Sequence, residues 1–391
     1  MMKGHQMSGP NCALCDIEIT RDNDSREHIV PNGIGGRRRV RGFLCRACNS
    51  RAGEKWDAVA AEQLNFLCLL FAIRRERGTV RAGDFVTESG QAVRIHSDGH
   101  LTLASARPKV TEYGSTAEIK ARVPTKHEAK KLMLGFKRRY PKLDVDEAMR
   151  TVVEQRSYLS EPVRTVCNFG GAQSGRCVVK SALALAVASG IEAQACEVAT
   201  SYLRNNDGEP CFGYSYKRDL VSSRPTDRVF HCVAIKGDSS SQRLIGYVEF
   251  FGVYRMVACL SDRWTGTPLF NYYAIDPTSG QELDLDLGLS LSEEEVRCAC
   301  SNEEDYAANM VEAFQKALAI GQSMSFGREQ RKVVEQAWKE CIKTLGFSSG
   351  QTLTRKEIMA LSKCVTTQML SFLTHLVSSR RIVDQPPRDA G

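Results

Sequence analysis

The sequence predicts an α+β protein: a small N-terminal module tied together without a large core, then a larger mixed α/β region with a helical C-terminus. Three observations carry that prediction. Residues 12–57 are rich in Gly, Arg and Cys, with only short apolar pieces around Ile29 and Phe43. From about residue 79 to residue 123, and again from residue 228 to residue 276, apolar residues alternate or run continuously between turn residues, as strands require. Beyond residue 305, helical spacing and a capping signal take over.

Taken in order, residues 12–57 read as two short strands feeding a helix. Trp56 to Ile73 carries Val59, Leu64, Leu67, Leu70 and Phe71 at helical spacing, so a helix there packs the small module onto the rest. Thr79 to Val123 reads as a β-meander, with "SDGH" turning a hairpin. Thr125 and Glu128 have capping-box spacing, which predicts a basic helix to about Arg139, stopped before Pro141. A second helix is expected over Val145 to Gln155. Gly175 to Ser189 is apolar nearly all round and predicts a buried helix. "RVFHCVAIK", "RLIGYVEFFGVYRMVACLS" and "FNYYAID" predict strands of one sheet, with His231 in its core and its aromatics on a buried face. After the acidic stretch "QELDLDLGLSLSEEEV", helices are expected at about Asp305–Gln322, Glu329–Leu345 and Arg355–Ser379, the last opened by Thr354 and Glu357. The corresponding segments are 1–57, 58–160, 161–380 and a polar tail, 381–391, expected to be disordered.

Composition narrows the class. With 391 residues and 42% hydrophobic content, the chain is too long for one ordinary core. Its longest apolar run, Leu64 to Ile73, is half of the ~20 residues a membrane-spanning helix needs. No apolar signal core stands at the N-terminus, so a cytoplasmic protein is expected, its 15 cysteines serving as thiols or metal ligands. There is no P-loop and no dinucleotide fingerprint.

Cys12-x-x-Cys15 and Cys45-x-x-Cys48 are two pairs separated by 29 residues. Four thiolates in two facing knuckles hold zinc tetrahedrally and tie down the chain between them. Cys298 and Cys300 have no partner pair nearby and read as ordinary thiols. Between His28 and Gly53 there is no Asp or Glu, while Arg37, Arg38, Arg39, Arg41, Arg46 and Arg51 all fall there. Such a cluster suits phosphate contacts. A second basic stretch, Lys126 to Lys142, has seven Lys and Arg against one Glu.

Between the knuckles stands "EHIVP", and the order C-x-x-C, EHIVP, GG, "LCRACNSRAG" resembles the HNH endonucleases, the ββα-metal nucleases, in the subgroup built around a four-cysteine zinc site. The resemblance covers roughly residues 12 to 57. It implies a ββα-metal zinc module in which His28 deprotonates water and Glu27 and Asn49 hold one divalent ion, Mg²⁺ or Mn²⁺, beside the structural zinc. The residue types suit those tasks: imidazole titrates near neutrality, and carboxylate and amide oxygens prefer hard cations. The family usually carries a middle Asn that orients the base. Val40 or Arg41 stands at that place here, with Asn32 as the asparagine considered in its stead, and Gly53 offers no side chain where some members place another ligand.

The resemblance implies a nucleic-acid substrate, expected to be double-stranded DNA, and by analogy a bacterial, phage or mobile-element defence nuclease whose remaining chain targets or regulates it. Two other readings stay open: a non-catalytic zinc-ribbon nucleic-acid-binding protein, and a nuclease effector switched on by a ligand or protein partner.

Overall fold

The computed structural model describes residues 9–104, 108–114, 116–153, 158–159 and 161–383. It is a mixed helix and strand protein, with the cysteine module first and helices last. Among the described residues, those within Met1–Gly83, His96–Gly99 and Val166–Gln322 cluster as one compact unit, and those within Asp84–Ile95, His100–Thr165 and Ser323–Gly391 as another. The N-terminal module and most of the segment 161–380 therefore fall in the same unit, whereas the segments read from sequence simply followed chain order.

In the first unit, the strand Glu27–His28 pairs antiparallel with Arg39–Val40, opposing Glu27 to Val40 and His28 to Arg39. A short 3-10 turn, Asn32–Ile34, lies between them. The return is tight: a Cβ at Gly36 would lie 1.7 Å from the Val30 carbonyl oxygen, so no other residue fits there. The helix Arg46–Ala52 follows, and a π-helical turn, Gly53–Asp57, joins it to Ala58–Gln63 and Asn65–Leu70. The helix expected over Trp56–Ile73 is thus present as the end of a longer, interrupted path, and Leu64, Leu67 and Phe71 are buried as its spacing requires.

The three apolar runs form one antiparallel sheet in the order Leu269–Ile275, His231–Asp238, Arg243–Phe250, Tyr254–Ser261, with an unforeseen edge strand, Phe212–Tyr214. Alternation divides it into two faces. Cys232, Ala234, Ile245, Tyr247 and Val257 pack with Leu285, Leu287, Leu289, Val296 and Ala299. The alternating leucines of the acidic stretch are therefore a cover for the sheet. The helix Gly171–Ala188 packs against the sheet and is buried without break from Ser174 to Ala186. Its approach is close: a Cβ at Gly246 would lie 2.6 Å from that of Ala182. Each Val, Leu, Ile or Phe buried this way contributes roughly 1.5–3 kcal/mol, so this part needs no metal to hold its shape.

In the second unit, the hairpin turned by "SDGH" joins Ala92–Ile95 to Leu101–Leu103, and Lys109–Tyr113 pairs with Thr116–Lys120. The basic helix runs Lys126–Arg139, with the Thr125 hydroxyl accepting the Glu128 amide. The next helix, Val145–Arg150, is shorter than expected, and residues 154–157 lie outside the described residues. Helices anticipated on either side of Gly327 are one continuous helix, Ala307–Leu345, because each of its two interior glycines, Gly321 and Gly327, costs only about 1 kcal/mol against Ala. The last expected helix is two, Arg355–Gln368 and Leu370–Val383, so Arg381–Val383 of the expected tail is helical and the remainder lies outside the described residues. In the first unit, the helix Glu293–Cys300, opened by a full capping box of Ser292 and Glu295, was not anticipated. One expectation is corrected outright. Cys341 and Cys364, taken for thiols, form a disulfide, their Cα atoms brought within 5.9 Å by the turn between two helices.

No helix among the described residues is long and apolar enough to cross a membrane.

Candidate active site

The four knuckle cysteines converge: one Sγ from each of Cys12, Cys15, Cys45 and Cys48 lies within 4.8 Å of the others. The local chain explains the convergence. The Cys12 amide donates to the Ile17 carbonyl and the Asp16 amide to the Cys12 carbonyl, folding the first knuckle, with Asp16 at φ 62°. Cys45 stands at the N-terminus of the helix Arg46–Ala52 and Cys48 in its first turn, which makes the second knuckle. The Cys15 and Cys45 sulfurs are 3.7 Å apart, the separation that two sulfurs bound at about 2.3 Å have in a tetrahedron. The Cys45 amide donates to Cys12 Sγ at 3.3 Å and Arg51 to Cys48 Sγ at 3.2 Å, both favouring thiolates. The set fits zinc.

Successive residues of a strand face opposite ways, which separates Glu27 from His28. Glu27 is 3% exposed and its carboxylate accepts from Nζ of Lys180, a residue of the buried helix Gly171–Ala188 that is itself 0% exposed. Lys180 also donates to Asp57 Oδ2 at 2.7 Å. Burial alone pushes a lysine toward neutrality, but the carboxylates of Asp57 and Glu27 outweigh it, and Lys180 is held well above its ordinary value. The other Asp57 oxygen, Oδ1, is buried with no hydrogen-bond partner among the described residues.

His28 faces the other way, its side chain 17% exposed. Its Nε2 lies 3.1 Å from Glu76 Oε2 and 3.1 Å from Arg39 Nε. Burial pushes the imidazole below its ordinary value, with the Glu76 carboxylate opposing and Arg39 reinforcing the shift. Asn49 is partly exposed on the helix Arg46–Ala52, and its side chain makes no hydrogen bond to Glu27 or His28.

The six arginines of the module are dispersed in role. Arg39 joins His28; Arg41 pairs with Asp24 at 2.9 Å; Arg37 donates to the Arg74 carbonyl at 2.6 Å. Arg38 lies over the Tyr273 ring, 5.5 Å from its centroid, and Arg51 is turned to Cys48. Arg46 is exposed. His231 is fully buried, as expected. Phe251 N–H donates to its Nδ1 at 3.1 Å, so its Nε2 carries the proton and donates to the Ile34 carbonyl at 2.9 Å.

Sequence reading missed Glu76, Asp57 and Lys180. For Lys180 a signal existed: a lone lysine amid "GRCVVKSALALAVAS" has to find an anion when the helix is buried.

Compared with known families, residues 12–65 match the family model described as HNH endonuclease. The match supports a nuclease of the HNH family in this part of the chain, and with it a nucleic-acid substrate. No curated protein and no solved structure gives a significant match to the chain.

Proposed function

We propose that the chain is a metal-dependent endonuclease that hydrolyses phosphodiester bonds of DNA, with His28 as general base. The observation that supports this best is the setting of His28: a half-buried imidazole on the first strand of the zinc module, with Arg39 beside it and Nδ1 taking no hydrogen bond from the described residues. His28 removes a proton from water. The hydroxide oxygen bonds to phosphorus as the bond to the leaving sugar oxygen breaks, and that oxygen takes a proton from solvent. Arg39 and the exposed Arg46 bear on the phosphates.

Glu27 and Asn49 are the residues that would hold a divalent ion. The fit is chemical: Glu27 and Asp57 set two carboxylates against one ammonium, and Asp57 Oδ1 is left without a partner, so hard oxygen donors exceed the cations that the protein supplies. When bound, Mg²⁺ or Mn²⁺ supplies positive charge against the developing phosphate charge. The zinc, closed by four thiolates, is structural. Under this reading the remainder of the chain targets or regulates the nuclease, in a bacterial or mobile-element defence setting.

The ion pairing of Glu27 with Lys180 favours one competing reading, a non-catalytic zinc-ribbon protein. Cleavage of plasmid by His28→Ala separates the two. Loss of about 10²-fold or more in rate, with DNA binding retained, is expected of a general base. Parent-level cleavage by the variant refutes the assignment, and absence of cleavage by the parent protein with either metal favours the zinc-ribbon reading.

A further inference from the structure

His28 has a polar neighbour from beyond the matched segment. Glu76 follows the helix Asn65–Leu70, eleven residues past the end of the match at residue 65, and reaches His28 Nε2 across 48 positions of sequence. At 38% exposure its side chain would ordinarily wander, but its backbone is fixed. The Asn32 side-chain oxygen accepts the Glu76 amide at 2.9 Å and the Arg77 amide at 3.4 Å, while its amide group donates to the Arg77 carbonyl at 3.1 Å. Arg37 holds the Arg74 carbonyl just before. The carboxylate is fixed as well, since Arg39 Nη2 donates to the same Oε2 that faces His28.

One donor, Arg39 Nε, and one acceptor, Glu76 Oε2, thus compete at a single ring nitrogen. If His28 carries its proton on Nδ1, Nε2 accepts from Arg39 Nε, and Nδ1 has nothing with which to take a proton from water. If the proton is on Nε2, that N–H donates to Glu76 and Nδ1 keeps its lone pair.

We propose that Glu76 is a positioning residue for His28, holding its proton on Nε2 so that Nδ1 is the atom that accepts the proton from water, and that Asn32 acts by pinning the segment that carries Glu76. This rests on the reading of His28 as the base. It also gives Asn32 a task near that of the missing middle asparagine, performed through a carboxylate instead of directly.

Glu76→Gln keeps the shape and removes the charge; its amide can donate to Nε2, which with Arg39 favours the Nδ1–H form. The full chain, labelled with ¹⁵N-histidine and with the His28 signal assigned by its loss in His28→Ala, should show the Nε2–H tautomer. Glu76→Gln should convert it to Nδ1–H. On plasmid with Mg²⁺ or Mn²⁺, Glu76→Gln should lower kcat by about tenfold or more and leave KM nearly unchanged, since a general base contributes ~10²–10⁴ and only part is lost. Asn32→Ala, which leaves every ionisable group in place, should move both readouts the same way and less far. Retention of the Nε2–H signal and of kcat in Glu76→Gln, while His28→Ala is inactive, overturns the role of Glu76 alone. A Nδ1–H signal in the parent chain overturns it as well. Parent-level cleavage by His28→Ala overturns the base assignment, and this proposal with it.

Discussion

In the N-terminal module, two strands of two residues each and a helix of under two turns surround four thiols; in the adjoining sheet, three strands of eight residues bury most of their side chains beneath a helix and a leucine-lined cover, and the strand Leu269–Ile275 is buried from Tyr273 to Ile275. The first buries a short apolar set, Ile29, Val30, Ile34, Phe43 and Leu44, on elements too brief to hold themselves, so its order is expected to depend on a metal at the four thiols. The second has a redundant core in which single losses are shared among neighbours. The first arrangement can order side chains with few residues, because two knuckles flank the short strand bearing His28 and leave its side chain 17% exposed.

The sharpest way to break the contrast is to remove the zinc. Cys45→Ser should unfold the module while the sheet persists, because binding to such sites carries ~10–16 kcal/mol of apparent free energy that is also folding free energy. Elemental analysis should give about one zinc per chain in the parent. Far-ultraviolet circular dichroism of the variant should keep its strand signal, and loss of the whole structure would show that the two regions depend equally on the metal.

Next in size is the ion cluster through which the module meets the buried helix. Lys180→Met leaves two carboxylates in a dry site, so it should destabilise by about 3–5 kcal/mol, the range for breaking a buried pair from one side. Adding Glu27→Leu should restore much of that. Urea titration of the single and double variants reads this directly, and equal midpoints for the two would mean that Glu27 and Lys180 are not coupled.

The smallest effect is a pH dependence at the other junction. Burial pushes His231 down to about 4, and the bond its Nδ1 accepts from the Phe251 amide requires the neutral ring, whereas the Nε2–H donated to the Ile34 carbonyl survives protonation and opposes the shift. The unfolded chain takes up a proton near 6.5, the ordinary value, while the folded chain does so only near 4. Between those values the unfolded state binds more protons. The stability due to this site is therefore fully present above about pH 6.5 and is lost as pH falls toward 4, amounting to about 3 kcal/mol over the window. Denaturation midpoints at pH 7 and pH 5 should show a drop in the parent that is smaller in His231→Gln; parallel drops would remove His231 from the account.

What could be read in the sequence was local. The knuckle spacing, the "EHIVP" motif, the Thr125 and Thr354 caps and the period-two runs each signal within a dozen residues, and each appears in the structure where expected. The capping box of Ser292 and Glu295 was equally local but lay inside an acidic stretch that masked it. Unread were the partnerships across the chain. Lys180 meets Glu27 over 153 positions, and Tyr273 meets Arg38 over 235, distances at which no periodicity carries information. For this reason the arginine cluster, legible as charge, was not legible as role: Arg38 and Arg41 are engaged by groups that only folding brings to them.

The cluster of Glu27, Asp57 and Lys180 also bears on inheritance. A nuclease motif of some fifty residues is the kind of segment that recombination can move between genes, but this one carries two inward carboxylates whose counter-charge is encoded more than a hundred positions downstream. A recipient scaffold without a lysine at that spot would receive a segment it cannot fold around. Exchange would then succeed only as a joint transfer of the motif and its buried helix, or after position 27 had first drifted to an uncharged residue, at the expense of the proposed chemistry.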